Sequence, residues 1–473
     1  MTDILVHSGT VITQNETRDI IHDGAVSINN GTITGVGSTS TLVKETDPER
    51  TINADGQIVL PGLINAHVHV SDILLRNSVN TDRSLLDWLF NIKQPGVLAM
   101  TPDEHGLAAE LYCAEAISGG ITTFVENDTA LDWDHLQCTK EKLDVYADMG
   151  IRTIYGAGIR DAAVDRATFD EIRQRPPDSI HPGPDALQVD TNTVLEKTEQ
   201  LIQDHHDPTH LQSIWPAPVT LATVTPDALR GAYELAEQYD VMTTAHVAEA
   251  TAPPHPDSTL SSIEYLRNVG YLGPRALLGH CVQTDQKDIR ILAETQTAVA
   301  HNYQANMRLA TGFARTPTMF RQDVTVSVGT DNSILNDTID LLKDIGALVA
   351  GHRGYRRDPG ALSAQEALDM ITCDAAAAID RSHDLGSVVE GKRADLILID
   401  IDQLGLTPSP DPIHTLVHAA TGRDVTTVIC DGHLIMDDGN LQTLRTDRDA
   451  LLKIASETAA DINERAGISS TEK

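Results

Sequence analysis

The segment IVLPGLINAHVHV, residues 58–70, decides the fold of this chain. Its apolar side chains run almost without interruption, which is typical of a strand buried on both faces of a parallel sheet. Side chains at positions i and i+2 of a strand point to the same face. His67 and His69 therefore project together from the carboxyl end of this strand, where a single metal ion can bind both imidazoles.

Seven further strand-like segments follow, and segments with helical periodicity separate them. This alternation predicts the α/β class with a parallel sheet, and eight strands suit a closed (β/α)8 TIM-like barrel. Active sites of such barrels lie at the carboxyl ends of the strands. The seven segments are ITTFVEN (121–127), RTIYGAGI (152–159), SIWPAPV (213–219), VMTTAHVAE (241–249), ALLGHCV (276–282), TAVAHNY (297–303) and TVSVGTDN (325–332).

Both ends of the chain depart from this pattern, because short strand-like pieces there alternate with Gly, Asn and Asp turn signals. We expect the ends to pair into a small β-sandwich domain beside the barrel. The predicted limits are 1–56 and 385–445 for the two parts of this domain, 57–384 for the barrel, and 446–473 for a last helix and tail.

Two irregular stretches interrupt the barrel pattern. They are residues 160–210, rich in Asp, Pro and His, and the loop TAPPHPDS, residues 251–258. Long loops on a barrel are where substrate specificity tends to reside. We therefore expect both to contribute to specificity.

Metal-binding side chains stand at the ends of several predicted strands. His67, His69, His246 and Asp331 form a set of nitrogen and oxygen ligands that leaves one position for water, as in catalytic zinc sites. Because the set is not all oxygen, magnesium and calcium fit it less well, and Zn²⁺ or Fe²⁺ is the expected ion.

Three side chains near this set are candidates for proton transfer. Glu249 follows His246 by three residues, where a carboxyl group can carry a proton from the attacking water to a ring nitrogen or a leaving group. His280 can donate a hydrogen bond to the nucleophile or polarise the substrate. Asp331 can both ligate the metal and accept the proton of the water.

Each residue taken alone has a plainer interpretation. A His-x-His pair in a strand is often a cross-strand polar pair, a single histidine is often satisfied beneath a loop, and Asp331 after Gly329 is compatible with a turn or a helix N-cap. The joint occurrence at four strand ends favours a metal site. Trp88 in LLDWLFNIKQPG is either a core residue or a stacking wall for a flat substrate.

Composition excludes two classes of partner. The chain has 473 residues with 69 acidic and 35 basic side chains, a formal net charge of −34. Nucleic acids and anionic membranes would be repelled by this charge. A small molecule is the expected partner, and acidity spread along the whole chain suggests a halophilic proteome, in which salt screens the self-repulsion of the surface.

Cysteine usage and hydropathy predict a cytoplasmic protein. Five cysteines are scattered without any Cys-x-x-Cys pair, as expected of free thiols in a reducing compartment. No leader-like N-terminus and no run of about 18 apolar residues is present.

The motifs PGLINAHVH, HVAE, LLGHC, GTDNS and GSVVEGKRADLILID resemble the amidohydrolase superfamily over nearly the whole chain. They are most similar to its cytosine-deaminase-like and chlorohydrolase branch, and LLDWLFNIKQPGVLAMTPD and SIWPAP look closest to the s-triazine hydrolases. The resemblance implies one zinc or iron ion on His67, His69, His246 and Asp331, with Glu249 and His280 catalytic. It also implies a homodimer, because relatives are often dimers.

Two details refine the resemblance. Binuclear relatives carry a bridging lysine at the end of the fourth strand, whereas this chain reads SIWPAPV there, which favours one metal ion. After the seventh strand many relatives have Asn-Pro-x-Ser-Asn-x-x-Leu, whereas this chain has Tyr303 and Ala305 in place of the Pro and Ser. Asn302 and Asn306 are retained, and the resemblance places them near the substrate.

We therefore expect a metal-dependent hydrolase of C–N bonds other than peptide bonds. The expected reaction is hydrolytic deamination of an amino-substituted aromatic heterocycle of purine, pyrimidine or triazine type by a metal-bound hydroxide. Displacement of halide or thioether from an s-triazine-like ring is the nearest alternative, and cyclic amide hydrolysis is a weaker one. A catalytically silent scaffold is the alternative of a different class, and the complete ligand set argues against it.

Overall fold

A computed structural model of the chain describes residues 2–78, 83–129, 136–163, 188–251 and 259–468. Residues 164–187 of the predicted specificity stretch at 160–210 and nearly all of the loop at 251–258 lie outside these residues, as does the last part of the predicted tail. The structure has two parts: a mixed sheet built from both chain ends, and a set of parallel strands between them.

The mixed sheet has nine strands from both ends of the chain, and one of its faces carries a buried apolar cluster to which both ends contribute. The predicted pairing of the two ends is therefore present. The strands are β1 (Thr2–Ile12), β2 (Ile20–Asn29), β3 (Thr32–Ser38), β4 (Pro48–Asn53), β5 (Gln57–Pro61), β15 (Leu396–Asp400), β16 (Val425–Cys430), β17 (His433–Asp437) and β18 (Asn440–Leu441).

These nine strands form one hydrogen-bonded sheet, whereas a sandwich has two separate sheets. The reason lies in β1, which pairs with β2, β4 and β5. Its register against β2 shifts between Val6 and Gly9, and Ser8 in this interval has a φ of 65°. Irregularities of this kind bend a strand. The first part of β1 can therefore pair with β4 and its last part with β5, while β2 pairs along its other edge.

The segment that decides the fold is divided at Gly62. Residues up to Pro61 belong to β5 of the mixed sheet, and Leu63–His69 form β6, the first of the parallel strands. A Cβ atom on Gly62 would lie 2.2 Å from Thr122 Oγ1, so only glycine fits where the chain passes from one sheet to the other. The prediction of one continuous strand over 58–70 is therefore wrong at this position.

Eight parallel strands, β6 to β13, match the eight segments predicted from the sequence. Hydrogen bonds join these eight strands and the two-residue strand β14 into two sheets. The strand orders are β14-β6-β7-β8-β9 and β10-β11-β12-β13. The remaining members are β7 (Ile121–Asn127), β8 (Arg152–Ile159), β9 (Gln212–Pro218), β10 (Thr243–Val247), β11 (Ala276–His280), β12 (Ala298–His301), β13 (Val326–Val328) and β14 (Asp331–Asn332).

Helices separate the parallel strands and cover them. Typical start signals are present: Thr101 and Glu104 form a capping box at the first turn of α4. The helices are α1 (Thr39–Glu45), α2 (Leu85–Trp88), α3 (Gln94–Leu98), α4 (Pro102–Ser118), α5 (Gln137–Met149), α6 (Thr191–His205), α7 (Pro226–Gln238), α8 (Ser262–Val269), α9 (Gln286–Thr295), α10 (Tyr303–Arg308), α11 (Thr316–Phe320), α12 (Leu341–Arg356), α13 (Ala364–Asp369), α14 (Cys373–Ala378), α15 (Pro412–His418) and α16 (Arg448–Arg465).

A buried ion pair network joins the two parts. Arg152, the first residue of β8, is 2% exposed and lies 3.2 Å from an oxygen of Asp395 and 3.3 Å from one of Asp431. Burying charges is costly unless they are paired, so these contacts fix the parallel strands against β15 and β16. In the described part of the chain, no helix has the length and apolar character needed to span a membrane.

Candidate metal centre and active site

The carboxyl ends of β6 and β10, and the start of β14 shortly after β13, bring the four predicted ligands together. His69 Nε2 lies 3.4 Å from Asp331 Oδ1, and His67 Nε2 lies 4.0 Å from the same oxygen. His246 Nε2 lies 3.1 Å from His69 Nε2. The spacing of His67 and His69 along β6 turns both rings to one side, as the strand periodicity predicts.

Backbone carbonyls orient two of these rings. His69 Nδ1 lies 2.6 Å from the carbonyl oxygen of Asn127, and His246 Nδ1 lies 2.6 Å from that of Val219. A carbonyl oxygen only accepts, so each Nδ1 carries the hydrogen and each Nε2 presents a lone pair. Ligating histidines are commonly oriented in this way.

The protonation states of the three rings suit a divalent metal ion. Burial is the largest influence that lowers the pKa of His67, His69 and His246 well below the usual histidine value, and charges of neighbouring groups lower it further. Neither ring nitrogen of His67 has a hydrogen-bond partner in the described part of the chain, although the ring is fully buried. Three neutral imidazoles and one carboxylate around a common point are the donors that such an ion binds.

Left-handed backbone conformations occur at this site. His280 has a φ of 71° and Asp331 a φ of 61°. Non-glycine residues adopt such values rarely, and they cluster where function requires a fixed side-chain direction. Gly329 allows the close approach needed here, because a Cβ atom on it would lie 2.6 Å from the Cβ of His67.

Glu249 and His280 lie beside the four predicted metal ligands. Glu249 Oε2 lies 3.7 Å from His280 Nε2, and ligating atoms of Glu249, His280 and Asp331 all lie within 4.8 Å of one another. Burial raises the pKa of Glu249 above the usual glutamate value, and His280 acts against this rise. A carboxyl group with a raised pKa is suited to carry a proton in both directions near neutral pH.

A cavity of about 740 Å³, including its opening to solvent, leads to these groups. One wall is apolar and consists of Leu85, Leu86, Trp88, Leu89 and Phe90. Trp88 is only 3% exposed, so it packs in the core and also lines the cavity.

Asn302 and Asn306 are fully buried and are not among the residues that line this cavity. Their side-chain amides contact His280 instead. The predicted position of these two amides near the substrate stays a prediction, and in the structure helix α10 sets them against the imidazole of His280.

Two cationic side chains of the cavity were missed by sequence reasoning. Arg160 directly follows β8, so the rule that identified the other strand ends would have found it. Lys93 ends a π-helical turn, Leu89–Lys93, and its Nζ lies 5.6 Å from the centroid of the Trp88 ring. Ordinary helical periodicity does not place residues five apart on one side, so no sequence signal indicated Lys93.

Comparison with known proteins identifies the family. A model of the amidohydrolase family matches residues 58–435. The chain belongs to this family. A 5-methylthioadenosine/S-adenosylhomocysteine deaminase of Nitratidesulfovibrio vulgaris is 31% identical over 440 residues, which cover 92% of this chain and 93% of the relative. The predicted hydrolase class and the predicted deamination of an amino-substituted heterocycle are thereby confirmed.

Solved structures of amidohydrolase type have the same fold. An adenosine deaminase of Xanthomonas campestris with bound zinc has a TM-score of 0.87 at 26% identity, over 98% of this chain and 99% of the other. An atrazine chlorohydrolase variant of Arthrobacter aurescens, complexed with zinc and atraton, has a TM-score of 0.86 at 23% identity, over 96% and 100% of the two chains. At the latter identity the similarity concerns the fold alone, so the predicted likeness to triazine hydrolases is confirmed at that level.

Proposed function

We propose that this amidohydrolase removes the amino group of the adenine ring in adenosine derivatives substituted at the 5′ position. The observation that carries the proposal is the Glu249 and His280 pair, which stands at 3.7 Å beside a buried cluster of three histidines and Asp331. The names of the similar deaminases support the choice of an adenine ring.

The proposed ligands of one ion are His67, His69, His246 and Asp331, and the proposed ion is Zn²⁺ with Fe²⁺ as the other candidate. When bound, such an ion supplies a water molecule whose pKa is lowered to about 7. Zinc is favoured because imidazole and carboxylate donors suit it and because the adenosine deaminase structure contains it.

Three side chains of this chain then perform the proposed proton transfers. Glu249 takes a proton from the attacking water and gives it to the ring nitrogen beside the reacting carbon. The C–O bond forms, the C–N bond breaks, and Glu249 passes a proton to the departing amino group, which leaves as ammonia. Asp331 accepts the second water proton and passes it to Glu249, and this is the proton that Glu249 gives to the departing amino group. His280 donates a hydrogen bond to the attacking oxygen.

The cavity suits a substrate with a negatively charged end. Arg160 is 8% exposed, its Nε is unpartnered, and no ion pair or side-chain hydrogen bond holds its guanidinium group among the residues that the structure describes. A buried unpaired guanidinium favours a carboxylate, which it binds in a bidentate manner. The carboxylate of S-adenosylhomocysteine has this chemistry, whereas 5-methylthioadenosine is neutral.

We also infer that the eight parallel strands close into one (β/α)8 barrel. Thr220, just after β9, forms a β-bridge with His246 of β10, so the first sheet contacts the second at this point. At the other side β14, which follows β13, pairs with β6. We retain the domain limits expected from the sequence, except that the first limit moves to Gly62. The homodimer, the cytoplasmic location and the adaptation to salt stay predictions.

Ammonia release tests the proposed function. Protein loaded with zinc or iron is incubated with S-adenosylhomocysteine, 5-methylthioadenosine, 5′-deoxyadenosine, adenosine, guanine and an amino-s-triazine. We expect ammonia from the 5′-substituted adenosines at kcat/KM at least tenfold above adenosine. Release from guanine or the triazine alone would contradict the adenine assignment. Release of a halide or thiol from a substituted triazine, without ammonia from any nucleoside, would replace deamination with the alternative displacement.

A further inference from the structure

The imidazole of His280 is held by two asparagine amides from one short segment. Asn306 Nδ2 lies 3.1 Å from His280 Nδ1, and Asn302 Nδ2 lies 3.3 Å from the same nitrogen. We propose that Asn306 is a positioning residue, which fixes His280 in the neutral tautomer that carries its hydrogen on Nε2. The catalytic meaning of this tautomer rests on the proposed function, whereas the tautomer itself does not.

Helix α10 explains why both amides reach the same ring. Asn302 is its N-cap and Asn306 lies four residues later, so the two side chains are neighbours on one face of the helix. The backbone N–H of Asn306 donates to the carbonyl of Asn302 at 3.0 Å, which fixes their relative position. Both residues are fully buried, so water does not compete for the amides.

The direction of the Asn306 amide follows from the cost of unpaired groups. In the observed direction its NH2 group contacts His280, and its buried Oδ1 has no hydrogen-bond partner among the residues that the structure describes. The opposite direction would pair the oxygen and leave the NH2 group without a partner. Buried unpaired N–H groups are rarer in proteins than under-satisfied carbonyl oxygens, so the observed direction is the more stable one.

This direction decides which nitrogen of His280 is protonated. An NH2 group only donates, so Nδ1 must accept and carries no hydrogen in the neutral ring. Asn302 does not change this result, because its Nδ2 is almost equally far from the two ring nitrogens, at 3.3 Å from Nδ1 and 3.4 Å from Nε2. The hydrogen therefore resides on Nε2, which faces Glu249 Oε2 at 3.7 Å.

The tautomer of His280 gives different roles to His280 and Glu249. An Nε2 that already carries a hydrogen can donate a hydrogen bond into the cavity but cannot take the proton of the attacking water. Glu249 is then the only one of the pair that accepts this proton. His280 orients the attacking oxygen, and Asn306 acts on the reaction only through His280.

Nitrogen NMR of the zinc-loaded protein tests the proposal without any substrate. The histidines are labelled with ¹⁵N, and the His280 signals are assigned by their loss in His280→Gln. We expect the chemical shift of an unprotonated nitrogen at Nδ1 and that of a protonated nitrogen at Nε2. The reverse assignment would overturn the proposal. Because no turnover is needed, this outcome is independent of whether the protein deaminates an adenine ring.

Two substitutions then test the link to turnover. Asn306→Asp places an acceptor beside Nδ1, so we expect the hydrogen to move to Nδ1 and kcat to fall at least tenfold while metal content is unchanged. Asn306→Leu removes the donor without adding an acceptor, so we expect a smaller loss of kcat. Asn440→Asp, at an exposed position in β18, is the matched control. Unchanged kcat and unchanged His280 shifts in Asn306→Asp would contradict the proposal.

Discussion

The Nε2 atoms of His69 and His246 lie 3.1 Å apart, with each ring turned towards the other by a backbone carbonyl at its Nδ1. Because each Nδ1 holds the hydrogen, two lone pairs face one another across this distance. Such an arrangement is unfavourable by itself and becomes favourable when a cation lies between the rings. This arrangement therefore supports the proposal that these histidines bind a metal ion.

The first prediction concerns the effect of a bound metal ion on stability. Removal of metal with a chelator should lower the melting temperature, and zinc should restore it. A ligand that binds only the folded state stabilises it by about 2.7 kcal/mol when its free concentration is 100 times Kd. Calorimetry with and without zinc measures this effect. His246→Ala should lose both the bound metal and the zinc-dependent stabilisation, whereas His433→Ala, at an exposed position in β17, should retain both. Equal melting temperatures with and without zinc would refute a metal site here.

A second prediction concerns Glu249. The amide of Glu249→Gln cannot carry a proton, so kcat should fall by about 10²–10⁴-fold, the usual contribution of general acid–base catalysis. Metal content should not change, because Glu249 is not one of the proposed ligands. Steady-state kinetics and metal analysis of the same preparation measure both. The control is Glu237→Gln on an exposed face of α7. A fully active Glu249→Gln enzyme would sink the proposed proton transfer.

The third prediction concerns substrate charge. Arg160→Met should raise KM for S-adenosylhomocysteine at least tenfold, because a lost contact of about 1.4 kcal/mol changes affinity by that factor. The KM for neutral 5-methylthioadenosine should change less than twofold. Arg160→Lys keeps the charge but not the planar group, so it should raise the KM for S-adenosylhomocysteine by less than Arg160→Met does. Equal changes for both substrates would mean that Arg160 does not recognise the carboxylate.

The sequence could predict that the four proposed metal ligands lie close together, because their placement depends on local geometry. Strand periodicity places His67 and His69 on one side, and the carboxyl ends of parallel strands meet at one edge. The break at Gly62 depends instead on a contact with Thr122, which lies 60 residues later in the sequence and on a different strand. No local pattern contains that information.

Two further features of the site depend on the structure. Lys93 faces the cavity because a π-helical turn replaces the usual α-helical one, and the periodicity used to interpret the sequence does not describe that turn. The position of Asn306 near the substrate stays a prediction, whereas its contact with His280 depends on where helix α10 packs. The sequence indicated which residues lie close to the site. Which of them line the cavity and which pack behind the lining could be seen only in the structure.

The fourth prediction concerns Asp344 in the first turn of α12. Its Oδ2 accepts a hydrogen bond from Asn336 at 2.8 Å, and the side chain is fully buried. Asn336 also donates to the carbonyl of Thr330 at 2.9 Å, which connects Asp344 to the residue before Asp331. Burial raises the pKa of Asp344 well above its usual value of 3.8.

A carboxyl group whose pKa is raised on folding makes stability decrease as pH rises. The free energy of unfolding begins to fall near the pKa that Asp344 has in the unfolded chain and stops falling above its pKa in the folded protein. Each pH unit between these two pKa values removes about 1.4 kcal/mol of stability. Asp344→Asn cannot ionise and still accepts from Asn336. Its melting temperature should therefore exceed that of the wild type by several degrees at pH 8 and by little at pH 4. Thermal unfolding at both values, with the exposed Asp323→Asn as control, measures the difference. A gain at pH 4 equal to that at pH 8 would show that ionisation of Asp344 is not the cause.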